Sequence, residues 1–131
     1  MGEIEERFGL PPAQFDILIR LLRHPEYRMP MTKLAREAAL SSGGFTKVAD
    51  RLARVGLIER VRCDDDRRVI YAELTDRGRT LAEEAREVCA QILRRRLLEP
   101  LGPTATVALA ESMRILREAN GDTHPSTDPT R

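Results

Sequence analysis

The spacing of apolar residues changes at Gly56, and this change constrains the fold more than any other feature of the 131-residue chain. Before Gly56 they recur every three or four positions, as on one face of a helix. The residues on that face are Phe45, Val48, Ala49, Leu52 and Val55. Beyond the glycine, Ile70, Ala72 and Leu74 recur at every second position, as in a strand. The chain is therefore predicted to pass from helix to sheet at Gly56, a residue type favoured just past a helix C-terminus.

Two short helices are predicted before Gly56. The second begins at Ser41 or Ser42, either of which can cap the N–H groups of a first turn. Its outward face carries Lys47, Asp50, Arg51 and Arg54. The first helix is indicated by Met31, Leu34, Ala35 and Ala38, with Thr32 able to cap it. Only a few residues around Leu40 separate the two, which predicts a helix-turn-helix, whose second helix presents its N-terminal residues to the DNA major groove.

A charged hairpin is predicted after the helix pair. Residues 57–62 are rich in branched side chains and can pair with the strand at 70–74. Between them lies the polar segment 63–68, which contains three aspartates and ends in Arg67 and Arg68. Such a hairpin beside a helix-turn-helix is called a wing, and an arginine at its tip can enter the minor groove.

Further helices flank this region. Residues 2–8 can form about two turns, and Pro11 and Pro12 suit the start of a helix that stops before Pro25. A long helix is predicted from Thr75 to about Glu99, where Pro100, Gly102 and Pro103 break it. A last helix is predicted from about Thr104 to Asn120, and the polar residues 121–131 are predicted to be a disordered tail.

Several short motifs resemble the multiple antibiotic resistance regulator (MarR) family. They are Leu40-Ser41, Phe45-Thr46-Lys47, Asp50-Arg51-Leu52, Gly56-Leu57-Ile58-Glu59-Arg60, Asp66-Arg67-Arg68 and Leu74-Thr75-Asp76-Arg77-Gly78. No insertion is needed to match the family pattern from Leu40 to Gly78, and the most specific elements are Asp-Arg-Arg and Leu-Thr-x-x-Gly. One departure stands out, because family members usually carry a long helix before Leu10 and here nine residues precede it. Either the dimer relies more on residues 75–120 than is typical, or the chain begins late.

The resemblance implies a mostly α fold with a small β-hairpin wing, namely a winged helix-turn-helix with C-terminal dimerisation helices. The expected division is a short N-terminal helix contributing to dimerisation (1–9), the DNA-binding domain (10–78), the dimerisation helices (79–120) and the tail (121–131). It further implies a homodimeric, sequence-specific transcriptional regulator, usually a repressor, that releases a pseudopalindromic operator in double-stranded DNA when a small molecule or an oxidant acts on it.

The resemblance also assigns residues to the DNA. The expected contacts are Ser42, Gly43, Gly44, Thr46, Lys47, Arg51, Arg67 and Arg68. One of the two wing arginines enters the minor groove and Asp66 orients the other, with the choice between them open. Gly43 and Gly44 remove side chains that would read bases, so we expect few direct base contacts from the first turn and more reliance on DNA shape.

The C-terminal helices carry apolar residues on more than one face. An ordinary intramolecular helix pair is one interpretation, and an isologous dimer interface, which the family favours, is the other. The expected interface residues are Leu93, Leu97, Leu98, Met113 and Leu116. By analogy of position, a small aromatic or phenolic effector would bind where the helix from Pro12 meets the long helix, against Phe15, Leu18 and Leu22.

Composition and charge are consistent with this assignment. The net charge is only +1, but residues 41–80 carry nine basic and seven acidic side chains, so the positive excess lies in the predicted DNA-binding region. No run of eighteen apolar residues or signal peptide is present in the sequence. Two distant cysteines form no disulfide framework. A cytoplasmic protein without membrane contact is expected.

Metal, cofactor and enzyme chemistry are not predicted. The aspartates at 64–66 lack the alternating spacing and closing glutamate of a calcium loop. His24 and His124 have no ligand cluster at zinc spacing, and no nucleophile has an oriented base.

Two alternatives remain open. Cys63, among arginines, and Cys89 raise the hypothesis of a cysteine-based redox-responsive regulator. Alternatively, the winged helix serves protein–protein contact without binding DNA.

Overall fold

The computed structural model describes residues 2–38 and 40–121, apart from the side chain of Ser42. The chain divides into two compact units, Met1–Ala90 and Gln91–Arg131, which are described separately. Most of the predicted tail, residues 122–131, lies outside the described residues. No helix in the described ranges is long and apolar enough to span a membrane.

The first unit contains short helices around a small sheet. Its helices are α1 (Gly2–Phe8), α2 (Pro12–Arg23), α3 (Met31–Glu37), α4 (Ser42–Arg54) and most of α5 (Asp76–Leu93). Its strands are β1 (Arg28–Pro30), β2 (Ile58–Arg62) and β3 (Ile70–Leu74). A single 3₁₀ turn, Pro25–Tyr27, joins α2 to β1. The predicted winged helix-turn-helix is confirmed, with α3 and α4 as the helix pair and the β2–β3 hairpin as the wing.

The sheet has three antiparallel strands in the order β1-β3-β2, one more than the predicted hairpin. Ala72 at the centre of β3 pairs with Arg60 on one side and with Met29 on the other. The added strand β1 is only three residues long and ends in a proline, so it shows no alternation that could have revealed it.

The core of the first unit comes from the predicted helical stripes. Ile17, Leu18 and Leu21 of α2 are fully buried, as is Leu34 of α3. The predicted inner face of α4 is buried at Phe45, Ala49 and Leu52 and half-buried at Val48 and Val55. Because α4 buries this face, the opposite side of the helix is presented to solvent.

The helix starts follow local capping chemistry. Pro11 precedes α2 and Pro12 is its first residue, as predicted. At α4 the capping residue is Ser41, whose Oγ accepts a hydrogen bond from the Gly44 N–H at 3.1 Å. The prediction that Thr32 caps α3 is wrong, because the helix already begins at Met31 and Pro30 occupies the cap position.

The second unit holds the end of α5, a π-helical turn at Arg94–Leu98 and α6 (Glu99–Ala119). The helix predicted from Thr75 to about Glu99 is interrupted only by the π-helical turn, because Leu93, Leu98 and Glu99 keep right-handed helical backbone angles, and α6 begins directly at Glu99. Pro100 is compatible with this start because the first turn of a helix needs no N–H from it. The predicted break survives as a kink, since Gly102 has a non-helical backbone with φ 77°.

Candidate nucleic-acid interface

One row of α4 is exposed along the whole helix. Gly43, Thr46, Lys47, Asp50, Arg51 and Arg54 lie on this row, which we call the outer row of α4. Four of the predicted DNA-contacting residues, Gly43, Thr46, Lys47 and Arg51, therefore share one surface. Gly44 is half-buried beside the cap, and the side chain of Ser42 lies outside the described part of the structure.

The two glycines in the first turn of α4 have different surroundings. A Cβ placed on Gly44 would lie 3.0 Å from the Ser41 Oγ, so this glycine makes room for the capping hydroxyl. A Cβ on Gly43 would have no neighbour within 4 Å. Among the described residues, nothing requires residue 43 to lack a side chain.

At the tip of the wing, Asp66 holds Arg68. The carboxylate Oδ1 accepts hydrogen bonds from the Arg68 backbone N–H and from its Nε, both at 3.1 Å. Hydrogen bonds from the side chain and then the backbone of Arg68 lower the pKa of Asp66 below its usual value. The Val69 N–H, which donates to the Asp66 carbonyl oxygen at 3.0 Å, closes the turn. Arg67 is exposed, and its side chain has no polar partner within the part of the chain that the structure describes.

A second ion pair links α4 to the wing. Arg60 of β2 donates from Nη2 to Oδ1 of Asp50, in the middle of the outer row. Sequence reasoning placed Asp50 on the outward face but did not identify this partner. The only available signal was two opposite charges ten positions apart, and several other pairs along the chain share that separation.

The turn between β3 and α5 packs tightly against the end of α4. The Thr75 Oγ1 accepts from the Gly78 N–H at 3.0 Å and donates to the Gly56 carbonyl oxygen at 2.7 Å. A Cβ on Gly78 would lie 1.9 Å from the Leu57 carbonyl oxygen, so only glycine fits there. These contacts explain why the Leu-Thr-x-x-Gly motif has threonine at position 75 and glycine at position 78.

A surface groove of about 450 Å³ lies between α1 and the start of α5. It is lined by Phe8, Asp76, Arg77, Thr80, Leu81 and Glu84. The three residues predicted to contact an effector are elsewhere: Leu18 and Leu22 are buried in the core and Phe15 is half-buried. The effector pocket at those residues stays a prediction.

The predicted dimer residues are exposed. The exposed fraction is 50% for Leu93, 36% for Leu97, 37% for Leu98, 60% for Met113 and 58% for Leu116. In the same unit Val107 and Ile115 are also more than half exposed. The exposed apolar side chains of residues 91–121 are thus too numerous to be isolated surface residues.

The structure adds little support for redox sensing by the cysteines or for metal binding. Cys63 and Cys89 are both half-buried free thiols. In the described ranges no three His, Cys, Asp or Glu side chains are grouped to hold a metal ion. Burial, and then the charge of Lys33, lower the pKa of His24.

Comparisons with known proteins agree with this geometry. The MarR family model matches residues 8–69. The chain is 30% identical over 114 residues to the HTH-type transcriptional regulator MhqR of Bacillus subtilis (strain 168), covering 72% of this chain and 77% of that protein. It is 36% identical over 84 residues to the HTH-type transcriptional repressor MdtR of the same strain, covering 64% of this chain and 53% of that protein. The solved structure of Sco3205, a MarR family transcriptional regulator from Streptomyces coelicolor in complex with DNA, is 28% identical, with a TM-score of 0.78 over 95% of this chain and 79% of that one.

These matches confirm the predicted fold class and the family resemblance. The family model covers the helix pair and β2, and the match to the Sco3205 structure covers 95% of this chain. Members of this family are transcriptional regulators and not enzymes. The chain belongs to the MarR family of transcriptional regulators.

Proposed function

We propose that this protein binds a pseudopalindromic operator in duplex DNA as a homodimer and represses transcription until a small molecule releases it. The observation that carries the proposal is the outer row of α4, which places Thr46, Lys47 and Arg51 on one exposed surface directly before an arginine-tipped wing. The similarity to the transcriptional repressor MdtR and to the DNA-bound Sco3205 structure supports it by analogy.

In this proposal α4 lies in the major groove. The outer row offers a hydroxyl at Thr46 and cations at Lys47 and Arg51, which can donate to base edges or to phosphates. The bare first turn at Gly43 allows the backbone of α4 to come close to the duplex. The cations supply affinity, and much of the specificity comes from DNA shape.

The wing would reach the minor groove. Both arginines are exposed at the tip, but Arg68 is bonded to Asp66, whereas the Arg67 side chain has no polar partner among the described residues. We therefore assign Arg67 to the minor groove and the Asp66–Arg68 pair to holding the turn in shape. A cation is favoured there because the negative potential is strongest where the minor groove is narrow.

The homodimer would form through the second unit. Its exposed leucines and Met113 provide an apolar surface that a second copy can cover with the same residues. Two copies of α4 related by a two-fold axis would read half-sites about ten base pairs apart. Dimerisation would also double the modest positive charge that each chain presents to DNA.

Release by a small molecule is the regulatory part of the proposal. The groove between α1 and α5 combines apolar Phe8 and Leu81 with charged Arg77. Arg77 also donates to a carbonyl oxygen at the end of α4. A ligand that binds in the groove and engages Arg77 would therefore disturb the DNA-reading helix, while a pocket at Phe15, Leu18 and Leu22 would need the core to open.

The proposal is tested by duplex binding as a function of salt. The purified full chain is titrated against a randomised duplex pool, and the bound fraction is sequenced. Contact with six or more phosphates predicts that affinity falls about 10³-fold or more between roughly 50 and 200 mM salt. If the protein shows no duplex binding at low salt, the regulator proposal fails and a protein-contact role for the winged helix becomes the better one.

A further inference from the structure

We infer that Asp50 is the residue of α4 that reads base identity, by accepting a hydrogen bond from the N4 amino group of a cytosine, and that Arg60 holds it in place to do so. The inference rests on the proposed function, because it assigns a reading role within the same DNA-binding surface. Both residues stand in the family motifs quoted above, but neither is among the predicted DNA contacts.

The position of Asp50 is the first argument. It lies one helical turn beyond Thr46 and Lys47 on the outer row of α4, and its side chain is 48% exposed. It is the only carboxylate on that row, where its neighbours are Lys47, Arg51 and Arg54. A helix that lies along the major groove with this row inward would bring Asp50 to the base edges together with them.

The charge of Asp50 is the second argument. A carboxylate on a DNA-facing surface repels phosphates, and this repulsion works against binding. Arg60 compensates that charge by donating to Oδ1. A carboxylate has further acceptor capacity on its second oxygen, so the pair fixes the side chain without using up its ability to accept from a base.

The chemistry of a carboxylate selects the base. An ionised aspartate can only accept hydrogen bonds, and in the major groove the cytosine N4 amino group is the donor it matches. Lysine and arginine match guanine acceptors instead. With Gly43 and Gly44 carrying no side chains in the first turn, Asp50 is the one acceptor-only side chain of the outer row, where the Thr46 hydroxyl can both donate and accept.

The test compares base preferences of variants on the same randomised duplex pool. The wild-type protein should enrich a cytosine at one position in each half-site. Asp50→Asn should move that preference from cytosine to adenine, because an amide can both donate to and accept from adenine. Asp50→Ala should flatten the preference at that position by about tenfold and leave the other positions of the logo unchanged.

Two further variants distinguish an effect on base preference from an effect of charge on overall affinity and from an effect on folding. Glu59→Gln removes a carboxylate next to Arg60 on β2, away from the outer row, and should leave the base preference unchanged. Arg60→Gln should weaken binding to all sequences, because Asp50 then faces the phosphates uncompensated, and should also reduce the cytosine preference, because Asp50 is no longer held in place. Thermal unfolding of each variant is measured alongside.

The outcomes are distinguishable. If Asp50→Asn keeps the wild-type logo, or lowers affinity for all sequences together with the thermal midpoint, Asp50 is a strut between α4 and the wing and the inference is wrong. If the wild-type protein binds no duplex at all, the proposed function fails first. If Asp50→Ala loses only the preference for cytosine at that one position, and its thermal unfolding midpoint is unchanged, the result supports the reading role.

Discussion

Arg77, in the first turn of α5, donates a hydrogen bond from its Nη1 to the Val55 carbonyl oxygen at the end of α4, over 2.8 Å. A helix end has carbonyl groups without intrahelical partners, and a cation there also favours the helix dipole. Arg77→Ala should therefore lower the free energy of unfolding by about 1 kcal/mol and weaken DNA binding several-fold. Chemical denaturation and a binding titration measure the two effects.

Arg86→Ala is the matched control for Arg77, since Arg86 is also an exposed arginine of α5. It should leave unfolding within about 0.5 kcal/mol of the wild type. Equal effects of the two substitutions would show that the bond to Val55 contributes nothing specific to α4.

Alanine substitutions at two glycines should have opposite effects on stability. Gly78→Ala places a Cβ 1.9 Å from the Leu57 carbonyl oxygen, a backbone atom that cannot simply rotate away, so the thermal midpoint should fall by many degrees. Gly43→Ala meets open space on a helix and should raise stability by about 0.5–1 kcal/mol. Calorimetry of the two variants measures both changes in stability.

The same Gly43→Ala protein should bind duplex DNA more weakly than the wild type in spite of its greater stability, because the added methyl group stands between α4 and the groove. Unchanged or tighter binding would contradict a close approach of the first turn to DNA.

The Asp66–Arg68 pair predicts a pH dependence of the wing. The pKa of Asp66 is lowered by its bonds to Arg68, below the ordinary value of 3.8. A carboxyl whose pKa is lower in the folded state stabilises that state above its unfolded pKa and loses this contribution as the pH falls through the folded one. Wing order should therefore persist at neutral pH and decline only in acid below about pH 4. Carboxyl NMR titration should show the pKa of Asp66 returning toward 3.8 in Arg68→Ala.

The wing arginines should differ in how they affect DNA binding. Arg67→Ala should reduce the slope of log affinity against log salt by about one for each protomer, because a cation in the minor groove neutralises about one phosphate-equivalent. Arg68→Ala should instead loosen the turn and raise the mobility of residues 63–69. If Arg68→Ala changed the salt slope and Arg67→Ala did not, the roles assigned to the two arginines would be reversed.

The apolar surface of the second unit predicts the oligomeric state. Leu98 is 37% exposed in the single chain, and a charge buried at a dimer interface without a partner is strongly destabilising. Leu98→Glu should produce a monomer in analytical ultracentrifugation, with weaker DNA binding as a consequence, and Leu98→Met should remain dimeric. A stable Leu98→Glu dimer with full affinity would place the interface elsewhere.

The spacing of apolar residues was enough to predict those helices and strands that are determined by residues close together in the sequence. The inner face of α4, the cap before it and the strands of the wing all follow from residues within a few positions of one another. The strand β1 could not be predicted in this way, because its three residues form a strand only by pairing with β3 some forty positions later. The π-helical turn at Arg94–Leu98 was also missed, because its five residues include no proline or glycine that would mark it.

The contacts that define the site were harder to predict than the residues in it. Lys47 and Arg51 could be placed on an outward row from spacing alone. The bond between Asp50 and Arg60 depends on how the α4 end and β2 turn relative to each other, which is set at Gly56 by a backbone with φ 79°. The same holds for Arg77 and Val55, which are twenty-two positions apart.

Gly78 and the Leu57 carbonyl group fit closely, so the first turn of α5 is packed directly against the residue that precedes β2. Because the Leu57 carbonyl group fills the space beside Gly78 and Thr75 bonds to Gly56, we expect this turn of α5 to shift only together with residues 56–57. Such a shift would reach β2, which begins at Ile58, and α4, to which Arg77 is bonded at Val55. We therefore expect a movement at the start of α5 to shift the wing and the outer row of α4 together.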